Sequence, residues 1–207
     1  EQLCIEALAD RLLVARSGLI AGHGDLSDRF GYWPGRFAAA VTGMNGWSAA
    51  APVLVPDTFD APTQTLDVRD LAGWLLDVGD RGVVGTFNAC SQTVRFGDVL
   101  DACASTVGGD VERTAVPSRW LAEQGVEQYM GPRSLPLWFH EPAYLGWSDR
   151  DSSAAYAAGM RSLPLTDLVS AALEWELERG LGRVRRAGLS PEEERSLLSG
   201  WSVAKPQ

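Results

Sequence analysis

The chain is almost without lysine. Lys205 is the only one among 18 basic residues in a chain of 207. That excludes a Walker A loop and an internal Schiff-base lysine. Histidine is nearly as scarce. His23 and His140 lie far apart with no ligand spacing, so no metal site is expected. No GxSxG elbow accompanies them, which leaves a Ser-His-Asp hydrolase unsupported. Cys4, Cys90 and Cys103 form an odd set without a CxxC pair. They are expected to be reduced, intracellular and buried. No apolar run reaches the length of a membrane span, so no membrane partner is expected. Glu1-Gln2-Leu3-Cys4 has neither the basic start nor the apolar stretch of an export signal, and a cytoplasmic location is expected. Net charge is −9 and no basic run tracks a phosphate backbone, so nucleic acid is not an expected partner.

What the chain does have is tryptophan, eight of them, and an ordinary 45% of hydrophobic residues. Its length allows one good-sized domain, or one domain and a small lobe. Residues 1–10 read as the end of a helix, so a fragment is expected. Residues 11–16 have the length and apolarity of a buried strand, and 17–29 read as loop, punctuated by Gly18, Gly22 and Gly24. A helix over 30–41 is expected to be interrupted near Pro34-Gly35. Asn45-Gly46 signals a turn. Short strands are expected at 53–55, 64–66, 86–88 and 112–116. Helices are expected at 67–80, with Val68, Leu71, Ala72 and Leu75 inward, at 96–107 and at 165–179. Prolines 132, 136 and 142 keep 117–150 irregular. Ser190-Pro191-Glu192-Glu193 is a capping box with proline at the first helical position. There is no internal repeat. Strands alternate with helices, which makes the class α/β or α+β.

Gly79-Asp80-Arg81-Gly82-Val83-Val84-Gly85 matches the GxxGxxG spacing of a dinucleotide loop. The chemistry needs a strand before the glycines and a helix after them, so that the helix N-terminus meets the pyrophosphate. Here the helix comes first, so a plain helix-to-strand turn is expected. Two aromatic groups stand out: Phe30, Tyr32, Trp33 and Phe37, then Trp138, Phe139, Tyr144 and Trp147. For Tyr32, Trp33 and Trp138, core packing and the wall of a small-molecule pocket are equally open.

Four segments in fixed order carry a resemblance. Residues 15–25 resemble the R-P-x-x-x-x-G-P-x-D strand and loop of the extended short-chain dehydrogenases/reductases, the NAD-dependent epimerase/dehydratase family. Gln64-Thr65-Leu66-Asp67-Val68-Arg69-Asp70-Leu71-Ala72 resembles its V-x-D-L-A helix start. Gly85-Thr86-Phe87-Asn88 resembles its G-x-[FY]-N strand, and 163–175 its terminal helix. The resemblance implies the C-terminal half of such an enzyme: an incomplete Rossmann-like parallel sheet, last strands only, with a small α+β substrate-binding lobe mainly from 28–55 and 108–207. The cofactor-binding half, with its glycine-rich loop and Tyr-x-x-x-Lys pair, is expected to be absent. Four residues beyond Tyr32, Tyr129, Tyr144 and Tyr156 stand Arg36, Arg133, Ser148 and Met160, none of them lysine.

By the same resemblance Ser17, Gly18, Leu19 and Ile20 would face a nicotinamide, NAD or NADP, in the intact parent. Leu19, Tyr32, Trp33 and Trp138 would border a small-molecule substrate, and no residue of this chain would be catalytic. The family's two loop prolines are replaced by Ser17 and His23. Leu19 and Thr63 stand where nucleotide-sugar enzymes carry asparagine and arginine, so a less polar carbonyl or alcohol is expected rather than a nucleotide sugar. A lobe without its Rossmann partner exposes an apolar face. A homo-oligomer or a separate cofactor-binding chain is therefore expected to cover it. The alternative is a non-catalytic relative that senses a small molecule or binds a partner.

Overall fold

The computed structural model describes residues 1–44 and 46–205. Asn45, half of the expected Asn45-Gly46 turn, lies outside the described residues. The strands are β1 (Leu13–Ser17), β2 (Leu19–Ala21), β3 (Val53–Pro56), β4 (Pro62–Thr63), β5 (Thr65–Asp67), β6 (Gly85–Ala89), β7 (Val94–Arg95), β8 (Arg113–Val116), β9 (Glu127–Gln128) and β10 (Ser134–Leu135). The helices are α1 (Gln2–Leu8), α2 (Tyr32–Thr42), α3 (Val68–Asp80), α4 (Phe96–Val107), α5 (Ser118–Glu123), α6 (Ser153–Ala157), α7 (Leu165–Arg179) and α8 (Pro191–Ala204). The class is α/β. The strands form two-stranded pairs: β1·β6, β2·β5, β3·β8 and β9·β10 are parallel, and β4·β7 is antiparallel.

Local chemistry sets the helix ends. The Asp67 carboxylate caps α3, accepting from the Arg69 N–H at 2.8 Å. Ser190 and Glu193 form the expected capping box on α8, behind Pro191. Helix α2 runs without the interruption expected at Pro34. The proline falls in the first turn, where its missing N–H has no intrahelical partner to lose. The loop expected over 17–29 contains a strand, β2, because Leu19 and Ile20 find register opposite Thr65 and Leu66.

One apolar core joins α2, α4 and α7 to β3 and β8. A second, smaller one lies between the β1·β6 pair and α3, where Trp74 meets Phe87 edge-on at 5.7 Å. The inward face of α3 is Trp74 and Val78 with Leu71 packed beside them; of the expected stripe only Leu71 turns inward, while Val68 and Leu75 are nearly 40% exposed and Ala72 lies outside. The helix is rotated so that its large indole reaches the sheet. Leu75, Leu76 and Val84 are left on the surface, Leu75 and Val84 close to Leu13 of β1, which among the described residues pairs on one edge only. Cys4 is exposed, against the expectation of burial, because every residue of α1 is exposed; Cys90 and Cys103 are buried. No described helix is long and apolar enough to cross a membrane.

Candidate functional site

The parallel pair β1·β6 ends, at its carboxyl side, with Ser17 opposite Ala89. That edge is where open α/β sheets hold ligands. Ser17 is exposed. The next N–H, from Gly18, reaches the Ala89 carbonyl at 3.4 Å. A Cβ on Gly18 would stand 3.1 Å from the Cys90 sulfur, so glycine is what lets the two chain segments close up. Burial pushes the Cys90 thiol up, which keeps it protonated and unfit as a nucleophile.

Beside this edge the chain is clamped. The buried Gln64 amide donates to the carbonyls of Ser91 (3.0 Å) and Arg150 (2.8 Å) and accepts from the Arg150 N–H (2.9 Å). Asn88 donates to the Asp151 carbonyl at 2.9 Å, and the Gln92 N–H to the Tyr156 hydroxyl at 3.2 Å. Thr93 donates to Asp149 at 2.9 Å. These bonds fasten the 149–156 segment to the carboxyl end of β6. Together they frame an open cavity of about 560 Å³. Sequence reading missed this clamp.

The aromatic candidates lie elsewhere in character. Tyr32, Trp33 and Trp138 are 1%, 0% and 1% exposed. They share one cluster with Leu19, which is also buried. The Trp33 indole donates to the Pro136 carbonyl at 2.8 Å and the Trp138 indole to the Ser118 hydroxyl at 2.6 Å. All three rings pack within the main core of this structure. Ile20 is half-buried. His23 packs tilted against Trp175, ring centres 4.6 Å apart, and meets Glu178 at 3.2 Å. Among the described residues no group of three or more His, Cys, Asp or Glu could hold a metal. The Gly79–Gly85 stretch runs from α3 into β6, the reverse of a dinucleotide loop.

A dense ion-pair group braces the end of α7. Arg179 and Arg183 each reach Asp28 at 2.6 Å, the Arg186 N–H donates to it at 2.7 Å, and Glu176 takes Arg183 at 2.8 Å and Arg185. Burial alone would raise the Asp28 carboxyl, but the bonds from Arg183, Arg186 and Arg179 outweigh it and hold it below its ordinary value. A depressed native value stabilises the fold above the unfolded pKa, and that stability is lost as pH falls through the native one. Wild-type stability should therefore drop below about pH 4. Asp28→Asn should be less stable near neutrality and flatter through that acid range, as read by urea unfolding at several pH values.

No protein-family model and no curated protein matches the chain. Solved structures do. RMD from Pseudomonas aeruginosa, complexed with NADPH, is 19% identical with a TM-score of 0.57, over 84% of this chain and 52% of its own. UDP-glucuronic acid 4-epimerase from Bacillus cereus, in complex with NAD, is 10% identical with a TM-score of 0.55, over 88% and 49%. UDP-glucose 4-epimerase from Bifidobacterium longum, in complex with NAD+ and UDP, is 15% identical with a TM-score of 0.53, over 88% and 52%. The chain spans about half the length of the solved structures it matches. Its fold is that of about half of each of these solved structures.

Proposed function

We propose that this chain is the substrate-side half of an NAD(P)-dependent oxidoreductase, epimerase or dehydratase acting on a small carbonyl or alcohol. The observation that carries the reading is the β1·β6 carboxyl edge, where Ser17 and Gly18 stand beside Cys90 and Ser91. The backbone of Ser17, Gly18, Leu19 and Ile20 would pass the nicotinamide, which supplies the hydride chemistry when bound. The described residues offer no strand–glycine loop–helix for the pyrophosphate, and no tyrosine has a lysine four residues on, so the chain does not fit the rest of the cofactor. Those parts belong to the other half of the intact parent. The exposed Leu75 and Val84 beside Leu13 of β1 support an apolar face that such a half would cover. The apolar Leu19 and the uncharged Thr63 support a substrate less polar than the UDP-sugars after which two of the structural neighbours are named.

Titrating the 207-residue chain with NADH and NADPH, followed by fluorescence, should show no saturable site. Joined to an in-frame upstream segment carrying a glycine-rich loop and a Tyr-x-x-x-Lys pair, the same chain should bind the cofactor. Binding near 1 μM by the chain alone, about −8 kcal/mol, would overturn the reading and restore Gly79–Gly85 as a nucleotide loop. An upstream frame without those motifs would favour the non-catalytic, sensing alternative.

A further inference from the structure

We propose that a second cavity, walled by Thr63 and Thr65 beside Ser91, binds a small uncharged polyhydroxylated molecule. The cavity is about 230 Å³. It lies between β4 and β5, the residues just after β6, and the start of α7. Odd positions of the strand segment face it, since Thr63, Thr65 and Asp67 alternate with Gln64 and Leu66. The opposite wall is apolar, with Val99 of α4 and Leu168 of α7.

Two observations point to a ligand with hydroxyl groups. The Thr63 and Thr65 hydroxyls are buried and have no hydrogen-bond partner, although Thr63 is only 1% and Thr65 8% exposed. A buried hydroxyl without a partner costs about 1–3 kcal/mol. Both oxygens lie beneath the cavity wall, and ligand binding would turn each χ1 so that the hydroxyl meets the ligand. The Ser91 hydroxyl accepts from the Thr65 N–H at 3.0 Å, which leaves its own proton free to donate. The free Ser91 donor, the two unpartnered threonine hydroxyls beneath the same wall and the aliphatic carbons opposite match a short polyol in both character and size.

Charge decides against an anion. No Lys, Arg or His lines the cavity, while Asp67 and Asp70 do. Asp67 is held by Arg69 at 2.6 Å, and burial pushes the Asp70 carboxyl above its ordinary value. A phosphate entering here would meet carboxylates and find no cation.

The proposal rests on the reading of the β1·β6 edge only in taking this cavity as the substrate end of that edge. Its test uses neither cofactor nor turnover, so the two can fail separately. Erythritol is titrated into the ¹⁵N-labelled chain, and the amide shifts of Thr63, Thr65 and Ser91 are followed; glycerol 3-phosphate is the charged comparison. Erythritol should saturate, and glycerol 3-phosphate should bind at least about tenfold more weakly. Thr63→Val and Thr65→Val should each weaken erythritol by about tenfold, one hydrogen bond's worth. The same variants should melt at the same temperature or higher, because each removes an unpartnered hydroxyl. A purely structural role predicts a lower melting temperature and unchanged binding. Linear, unsaturable shifts would mean that the cavity holds water only. That result, equal binding of the phosphate ester, or undiminished binding by both valine variants would each overturn the proposal.

Discussion

Trp33→Ala will destabilise the chain by about 3–5 kcal/mol, as for other fully buried large aromatics cut to alanine. Trp33 is completely buried and meets Phe96 edge-on at 5.2 Å and Tyr32 at 5.0 Å. Its loss leaves a cavity between α2 and α4, and the Pro136 carbonyl loses its partner. Trp33→Phe separates the two contributions. It keeps much of the packing and removes the N–H donor, and should cost about 1–3 kcal/mol. Urea unfolding of the three proteins gives the measurement, with midpoints falling in the order wild type, Phe, Ala and with similar slopes. A Trp33 that lined a binding wall would behave otherwise: its truncation would leave the midpoint nearly in place and show only in ligand binding.

The sequence was most legible where a local signal carried the structure. Helix α4 over 96–107, α7 over 165–179 and the start of α8 at Pro191 follow from capping residues and a 3.6-residue period, both contained within a few turns of chain. The reversed polarity of Gly79–Gly85 was legible for the same reason, since flanking periodicity alone sets it. Strand β2 was not. Leu19, Ile20 and Ala21 lie between glycines and become a strand only through pairing with β5, some 45 residues on. The face of α3 was misjudged because its apolar positions, Leu71, Ala72, Trp74, Leu75, Leu76 and Val78, nearly circle the helix. Which of them turns inward is set by packing on Phe87 of β6, which the period of the helix alone does not reveal.

The candidate site divides in the same way. The edge at Ser17, Gly18, Leu19 and Ile20 is implied by the family resemblance and carries no local motif of its own. The Gln64 clamp joins residues 86 apart and carries no motif, so no pattern within the chain announces it. The aromatic residues leave two readings open for a physical reason: a tryptophan signals large buried area equally well in a core and in a pocket. The alternation Thr63, Thr65, Asp67 was the readable sign of a polar strand face, once β4 and β5 are taken as one extended segment.

Arg36→Met will be about as damaging as Trp33→Ala, for an electrostatic reason. Arg36 and Glu194 are 3% and 1% exposed and pair at 2.6 Å. Glu194 also accepts from the Leu54 N–H at 2.6 Å, while Arg36 donates to the Pro52 carbonyl at 3.0 Å and lies over Trp47 at 4.0 Å. The pair thus ties α8 to α2 and β3. Removing one partner of a buried pair costs about 3–5 kcal/mol, because the other is left charged and dry. Burial already pushes the Glu194 carboxyl above its ordinary value, against the opposing pull of Arg36 and the Leu54 N–H. Without Arg36 it must rise further, and the variant can escape part of its penalty by binding a proton. The sign follows from linkage. A native pKa above the unfolded one favours folding at pH below the unfolded value, and that contribution is lost as pH rises through the native value. The cost of Arg36→Met should therefore grow between about pH 5 and pH 8. Arg36→Met combined with Glu194→Leu should restore part of the stability, since neither charge is then stranded. Urea midpoints at both pH values, read as a double-mutant cycle, test this. A double variant as unstable as the sum of the two single variants, with no pH dependence in Arg36→Met, would show that packing over Trp47, rather than the buried charge pair, holds α8 in place.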